Sequence, residues 1–223
     1  MKTHESQNDL RYIRQVMEES SKFLSLSGLS GVTAGLIAVI GAAIAHYLIL
    51  DSGNIVYDEF FNVLHGKKLF NIRIALFLDG LIVLIMAISS ALYFSWRICK
   101  KRGQPFITSS SKKLVFSIIT ILTVGGLFSV IIFLHGYYKL IAPTMLLFYG
   151  LALVNAARYS HRDIRHLGYL EIITGLTATI FLNYSLLFWT IGFGIFHILY
   201  GIIMYFKYDL NQQNSKIKFE EHS

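Results

Sequence analysis

Residues 74–96 read IALFLDGLIVLIMAISSALYFSW. One charged side chain, Asp79, interrupts a run that is otherwise apolar, aromatic or small. As a helix this stretch rises roughly 35 Å, enough to cross a hydrocarbon core of about 30 Å. The stretch LIVLIMAI at 81–88 shows no alternation, whereas a barrel strand of about 10 residues alternates apolar with polar. A membrane-spanning helix is the reading, and the rest of the chain repeats it.

Working outward, five more stretches approach the roughly 20 apolar residues that a span needs. They cover 30–50, 114–134, 140–157, 167–182 and 186–206. Only Asn183, Tyr184 and Ser185 separate the last two. A single helix there would be about 60 Å long, twice the hydrocarbon thickness, so two spans fit better. The expected fold is all-α: a polytopic membrane helix bundle of six transmembrane helices arranged as three hairpins. It divides the chain into a cytoplasmic tail (1–29), a membrane domain (30–206) and a polar tail (207–223).

Composition points the same way. Charged residues make up 15% of the 223, against about 25% in soluble domains. Seventeen Phe and 13 Tyr exclude a disordered chain. The single cysteine, Cys99, excludes a disulfide scaffold. The first 29 residues have mixed charge and no early apolar core, so span one reads as an uncleaved anchor rather than a signal peptide.

Basic residues collect on the cytoplasmic side of membrane proteins. With six spans, Lys2, Arg11, Arg14 and Lys22 share a side with Arg97, Lys100, Lys101, Arg102, Lys112 and Lys113. Arg158, Arg162, Arg165, Lys207, Lys216 and Lys218 join them, while Lys67, Lys68, Arg73 and Lys139 lie opposite. Sixteen of 20 basic residues therefore flank the side of both termini, which becomes the cytoplasm. Topology and anionic membrane lipids account for the net charge of +7, and no nucleic-acid partner is needed.

Outside the spans, Leu10, Ile13, Met17 and Leu24 form one stripe over 8–24, with Arg11, Arg14, Glu18 and Lys22 largely elsewhere. That pattern predicts an amphipathic helix on the membrane surface, or one that docks a cytoplasmic protein or a second copy. In the outer loop 51–72, Asp58, Asn62 and His65 share a helical face. Two or three mixed ligands are a weak metal signal, so no metal or cofactor is assigned.

Ionisable groups inside spans are costly and tend to face the bundle interior. His46 and Asp79 lie at matched depth, roughly 6–9 Å from the outer ends of their spans, and His135 closes span three at the same surface. These three are expected to approach one another. At the inner side, Asn155 and Arg158 end span four, and Glu171 follows four residues into span five. That is shallow enough for Glu171 to pair with an arginine of its own turn. His197 lies about 16 Å into span six, too deep to reach the interface. It is expected to face the interior beside a polar side chain or small cavity, neutral unless a carboxylate lies close. Gly31 and Gly35 in span one, and Gly194 and Gly201 around His197, are small residues that let helices approach. They are read as packing seams within or between monomers.

The motif Gly28-Leu29-Ser30-Gly31 matches the G-x-S-G of rhomboid proteases. Here, however, the serine precedes span one and the histidine sits in span six, which departs from the rhomboid order. There is no G-x-x-x-x-G-K-[ST], H-E-x-x-H or C-x-x-C. Cys99, beside Lys100, reads as a structural thiol or a lipidation site.

Three stretches, LRYIRQVMEESSKFLSLSGLSGVTAG, NAARYSHRDIRHLGYLEIITGL and FGIFHILYGIIMY, span most of the chain. Together they resemble an uncharacterised family of small bacterial membrane proteins of the kind found in Bacteroidota. The resemblance implies a bacterial inner-membrane location and brings no known activity or catalytic residue. Three function classes remain, in this order: a non-catalytic sensing or scaffolding membrane component, a small transporter or channel, and an intramembrane enzyme using His and Asp.

Overall fold

The computed structural model describes residues 28–50, 67–103, 105–160 and 163–210. The amphipathic stripe at 8–24, the loop group Asp58, Asn62 and His65, Arg162, and the polar tail from 211 lie outside the described residues.

The described residues are helical throughout, with no strand. In chain order they form α1 (Gly28–Leu50), α2 (Lys67–Arg102), α3 (Ser109–Leu134), a 3-10 turn (Tyr138–Leu140), α4 (Ile141–Ala156) and α5 (Asp163–Ile180). A second 3-10 turn (Leu182–Tyr184) leads into α6, residues 185–210. Within α6 the backbone switches from α (Ser185–Trp189) to π (Thr190–Phe196), back to α (His197–Met204), and ends in π geometry (Tyr205–Leu210).

Five described helical segments are long and apolar enough to cross a membrane: Gly28–Leu48, Ile74–Lys101, Ser109–Leu134, Tyr138–Ala156 and Leu182–Lys207. The sixth expected span is not among them. Helix α5 starts at Asp163, four residues before its apolar stretch, and carries Arg165, His166 and Glu171, which dilute its hydropathy. The chain does break between α5 and α6, as the 60 Å argument requires. Phe181 leaves helical geometry at φ −109°, ψ 61°, and the 3-10 turn follows.

The three-hairpin arrangement needs correction. α1 packs on α2 and α3 on α4, but the main partner of α5 is α4, and the main partner of α6 is α1. The reason lies in small residues. A methyl group added at Gly150 of α4 would sit 2.7 Å from the Gly168 carbonyl oxygen of α5, and one at Gly168 would sit 2.8 Å from the Gly150 oxygen. Gly175 meets the Leu147 amide nitrogen at 3.0 Å in the same sense. The rising and falling numbers make α5 antiparallel to α4 along its length. α1 and α6 close in the same way: an added methyl at Gly35 lies 2.6 Å from the Gly194 oxygen, and one at Gly31 lies 2.9 Å from the Gly201 Cα. The seam formed by Gly31, Gly35, Gly194 and Gly201 thus lies within one chain.

Helices α2 and α3 are peripheral; only 6% and 11% of their most apolar windows are buried. Phe77, Ile82, Phe116 and Leu127 are among the large apolar side chains they leave exposed. An apolar exterior around a small-residue interior is the arrangement that lipid favours. Cys99 is 1% exposed, packed with Leu114 and Ala156, so it serves packing and is closed to lipidation.

These seams yield a stability prediction. Gly35→Leu should lower the melting temperature in detergent, by an amount equivalent to about 1–3 kcal/mol or more. Gly80, where an added Cβ meets nothing within 4 Å, should accept leucine within about 0.5 kcal/mol. Equal melting temperatures for both variants would contradict the seam.

Candidate functional site

The inward face of α5 reads Ile164, Leu167, Gly168, Glu171, Thr174, Gly175 and Ala178, all buried. The spacing is three and four, the period of one helical face. Glu171 stands in the middle of that stripe, between glycines that let α4 approach. Counted from Asp163 it is eight residues in, about 12 Å along the helix and near its midpoint. The expectation that Glu171 would reach out to an arginine of its own turn is therefore corrected. Its side chain is 0% exposed, while Arg158 and Arg165 are exposed.

The carboxylate points at α6. Its Oε1 lies 3.4 Å from His197 Nδ1. Its Oε2 occupies the space a Cβ on Gly192 would fill, next to Leu146. Neither oxygen has a hydrogen-bond partner among the described residues. A buried, unbonded carboxylate is an expensive feature, and structures retain such groups at functional sites.

His197 is 7% exposed and faces the bundle interior. Its Nδ1 lies 3.1 Å from the Gly192 carbonyl oxygen. A carbonyl only accepts, so Nδ1 carries the hydrogen. The other nitrogen, Nε2, is 2.8 Å from the Tyr149 hydroxyl of α4. Phe193 stacks on the imidazole at 6.0 Å between centroids and also contacts Tyr149 at 4.9 Å. Trp189 packs on Phe193 at 5.1 Å. The result is a buried chain, Glu171–His197–Tyr149, roofed by aromatic rings and drawn from three helices.

The π-helical stretch supplies the geometry. Its seven residues, TIGFGIF, place Gly192 against the carboxylate of α5 and Gly194 against Gly35 and Val39 of α1. Wide turns of this kind recur at functional sites in α-helices.

The other candidate residues do not join this site. Asn155 donates to the Ser117 hydroxyl at 2.6 Å and ties α4 to α3. Asn155→Ala should cost about 0.6–1.7 kcal/mol, read as a melting shift in detergent, the range for polar contacts between membrane helices. Asp79 is half-buried beside Gly41 of α1. His46 is exposed, and no ion pair joins it to Asp79 among the described residues. His135 is exposed and bonds back to the Ile131 carbonyl through Nδ1 at 2.9 Å. No group of three metal-binding side chains occurs among the described residues. Both ring nitrogens of His197 are engaged, so it is not set as a base for Ser30.

Sequence reasoning missed Tyr149 and Gly192. Tyr149 is the one tyrosine within 140–157 and lies mid-helix, where a buried hydroxyl needs a partner. The signal for Glu171 was its place on the Gly168–Gly175–Ala178 face. No family model, curated protein or solved structure matches this chain.

Proposed function

We propose that this chain is an integral protein of a bacterial inner membrane, crossing six times with both termini in the cytoplasm. Its role is that of a non-catalytic membrane component that senses and relays a signal, rather than an enzyme. Support for the sixth crossing comes from α5 running antiparallel along α4: if α4 crosses, α5 returns the chain. The polar residues that lower its hydropathy either sit at its start or, as Glu171, turn inward. Support for the orientation comes from 16 of 20 basic residues on one side. The bacterial location rests on the resemblance of the three stretches named above. Membrane lipids surround α2 and α3, and a cytoplasmic protein or a second copy is the partner the amphipathic stripe at 8–24 would dock.

The single observation that carries the sensing role is the unbonded Glu171 carboxylate, set against the segment of α6 that also packs on α1. An ionisable group at this depth marks a working site. A small transporter is the second reading, favoured by the departure of α6 from α geometry beside that acid.

Two experiments test the proposal. A reporter fused after Ser223 should show a cytoplasmic C-terminus, and Asn62→Cys in a Cys99→Ser background should label from outside. A periplasmic C-terminus would remove the six-crossing reading. Purified protein in liposomes should show no proton or alkali-cation flux above empty vesicles. Sustained flux would replace sensing by transport.

A further inference from the structure

We infer that Glu171 and His197 form a one-proton binding centre inside the bundle, whose occupancy is transmitted to α1 through the Gly192–Gly194 turn of α6. This deepens the sensing role proposed above and rests on it, by naming the signal as protons. The carboxylate is fully buried with both oxygens unbonded, and an imidazole nitrogen lies 3.4 Å from one of them.

Nδ1–H of His197 is directed at the Gly192 carbonyl and lies beside Glu171 Oε1. In the neutral ring, Nε2 accepts from the Tyr149 hydroxyl; in the imidazolium, Nε2–H donates to the Tyr149 oxygen. The hydroxyl serves both states by rotating. A proton taken from water forms an O–H bond on Glu171, and the same bond breaks when the proton returns to water. Nothing is oxidised or reduced. With the proton the pair is neutral overall; without it the pair carries one negative charge.

The surrounding elements leave that charge to the pair. From α4 the facing group is Tyr149; from α6 they are His197 and Tyr200, the latter in the same cluster as Tyr149. Lys207 of α6 donates to Asp163 at the start of α5, 2.7 Å away at the helix end. Arg165, His166 and Tyr169 of α5 are exposed, as is Tyr184 in the preceding turn of α6. On α1, the nearest described titratable groups, His46 and Tyr47, are exposed at its far end.

Transmission follows from close packing. Gly192 abuts the carboxylate, and two residues later Gly194 abuts Gly35 and Val39. The contact runs through the Val39 methyl group and the Gly35 backbone. A change in charge and hydration at Glu171 therefore bears on the backbone of α6 and, through it, on α1, which follows the first 27 residues of the chain.

Full-length protein in lipid nanodiscs should be titrated between about pH 5 and pH 9, the range that brackets histidine and buried-acid chemistry. Two signals are read: the infrared carbonyl band of a protonated carboxylic acid, and the emission of Trp189 in a Trp96→Phe background, where it is the sole tryptophan. The expected result is one titration step common to both signals. Both are lost in Glu171→Gln and kept in Asp79→Asn. In the wild-type sequence, isotope-labelled glutamate should move the band and isotope-labelled aspartate should not, and the shared step at Trp189, which packs on Phe193 beside His197, places it at Glu171 even if Glu171→Gln fails to accumulate. Absence of the band across the range, a band that follows labelled aspartate, or a band that titrates without any change at Trp189 overturns the inference. Flux in liposomes would remove the sensing role while leaving the band in place, so the two failures are distinguishable.

Discussion

His197→Phe is expected to lower the detergent melting temperature and the level of folded protein more than any other isosteric change in the bundle. Phenylalanine fills the space but offers no nitrogen. The Tyr149 hydroxyl loses its 2.8 Å partner and the Gly192 carbonyl its side-chain donor. Glu171 loses the imidazole nitrogen that lay 3.4 Å from its Oε1. Removing one member of a buried polar pair costs about 3–5 kcal/mol, because the other member stays buried and uncompensated. Glu171→Gln should be milder, about 1–2 kcal/mol, since the amide keeps the volume and gains a donor. Comparable melting temperatures for the two variants would leave His197 with no special role in holding the bundle.

Gly192→Val should have an effect of similar size for a different reason. The first added carbon already falls on Glu171 Oε2 and a Leu146 methyl group. Two more carbons would force the carboxylate out of its slot and push α6 away from α5. Overpacking a tight core costs about 1–3 kcal/mol, and here a buried acid must also be moved. Gly126→Val, at an exposed position where an added Cβ meets nothing within 4 Å, is the control. It should accumulate and melt like the parent protein, whereas Gly192→Val should give little folded material by size-exclusion chromatography in detergent.

These effects depend on features that were unequally legible in the sequence. Long apolar runs announced their helices because hydropathy reports removal from water, and the break at 183–185 followed from length alone. The depth of His197 also implied an inward side chain. Hydropathy does not report which face of a helix looks inward, however, and that is where Glu171 was misplaced. The apolar stretch begins at Leu167, while the helix begins at Asp163, so hydropathy alone makes a mid-helix acid look shallow. The stripe Gly168, Gly175 and Ala178 held the missing information, because a face of small residues is a face that another helix covers. Helix pairing was hidden for a related reason. Adjacent spans were expected to form hairpins, yet the glycines of α1 match those of α6, and the closest backbone approach decides the partner. The π-helical stretch at 190–196 has no pattern of its own in the sequence; it is visible only once α1 and α5 are packed on either side of it.

Glu171 lies inside the bundle against His197, on the face of α5 that α4 and α6 cover. Cysteines placed at both positions, in a Cys99→Ser background and in native membranes, test it most directly. Glu171→Cys combined with His197→Cys should form a disulfide under mild oxidation. Under reducing conditions neither thiol should react with a membrane-impermeant maleimide until the protein is denatured. A cysteine at 171 that labels readily in the folded protein, and never crosslinks to 197, would contradict the account.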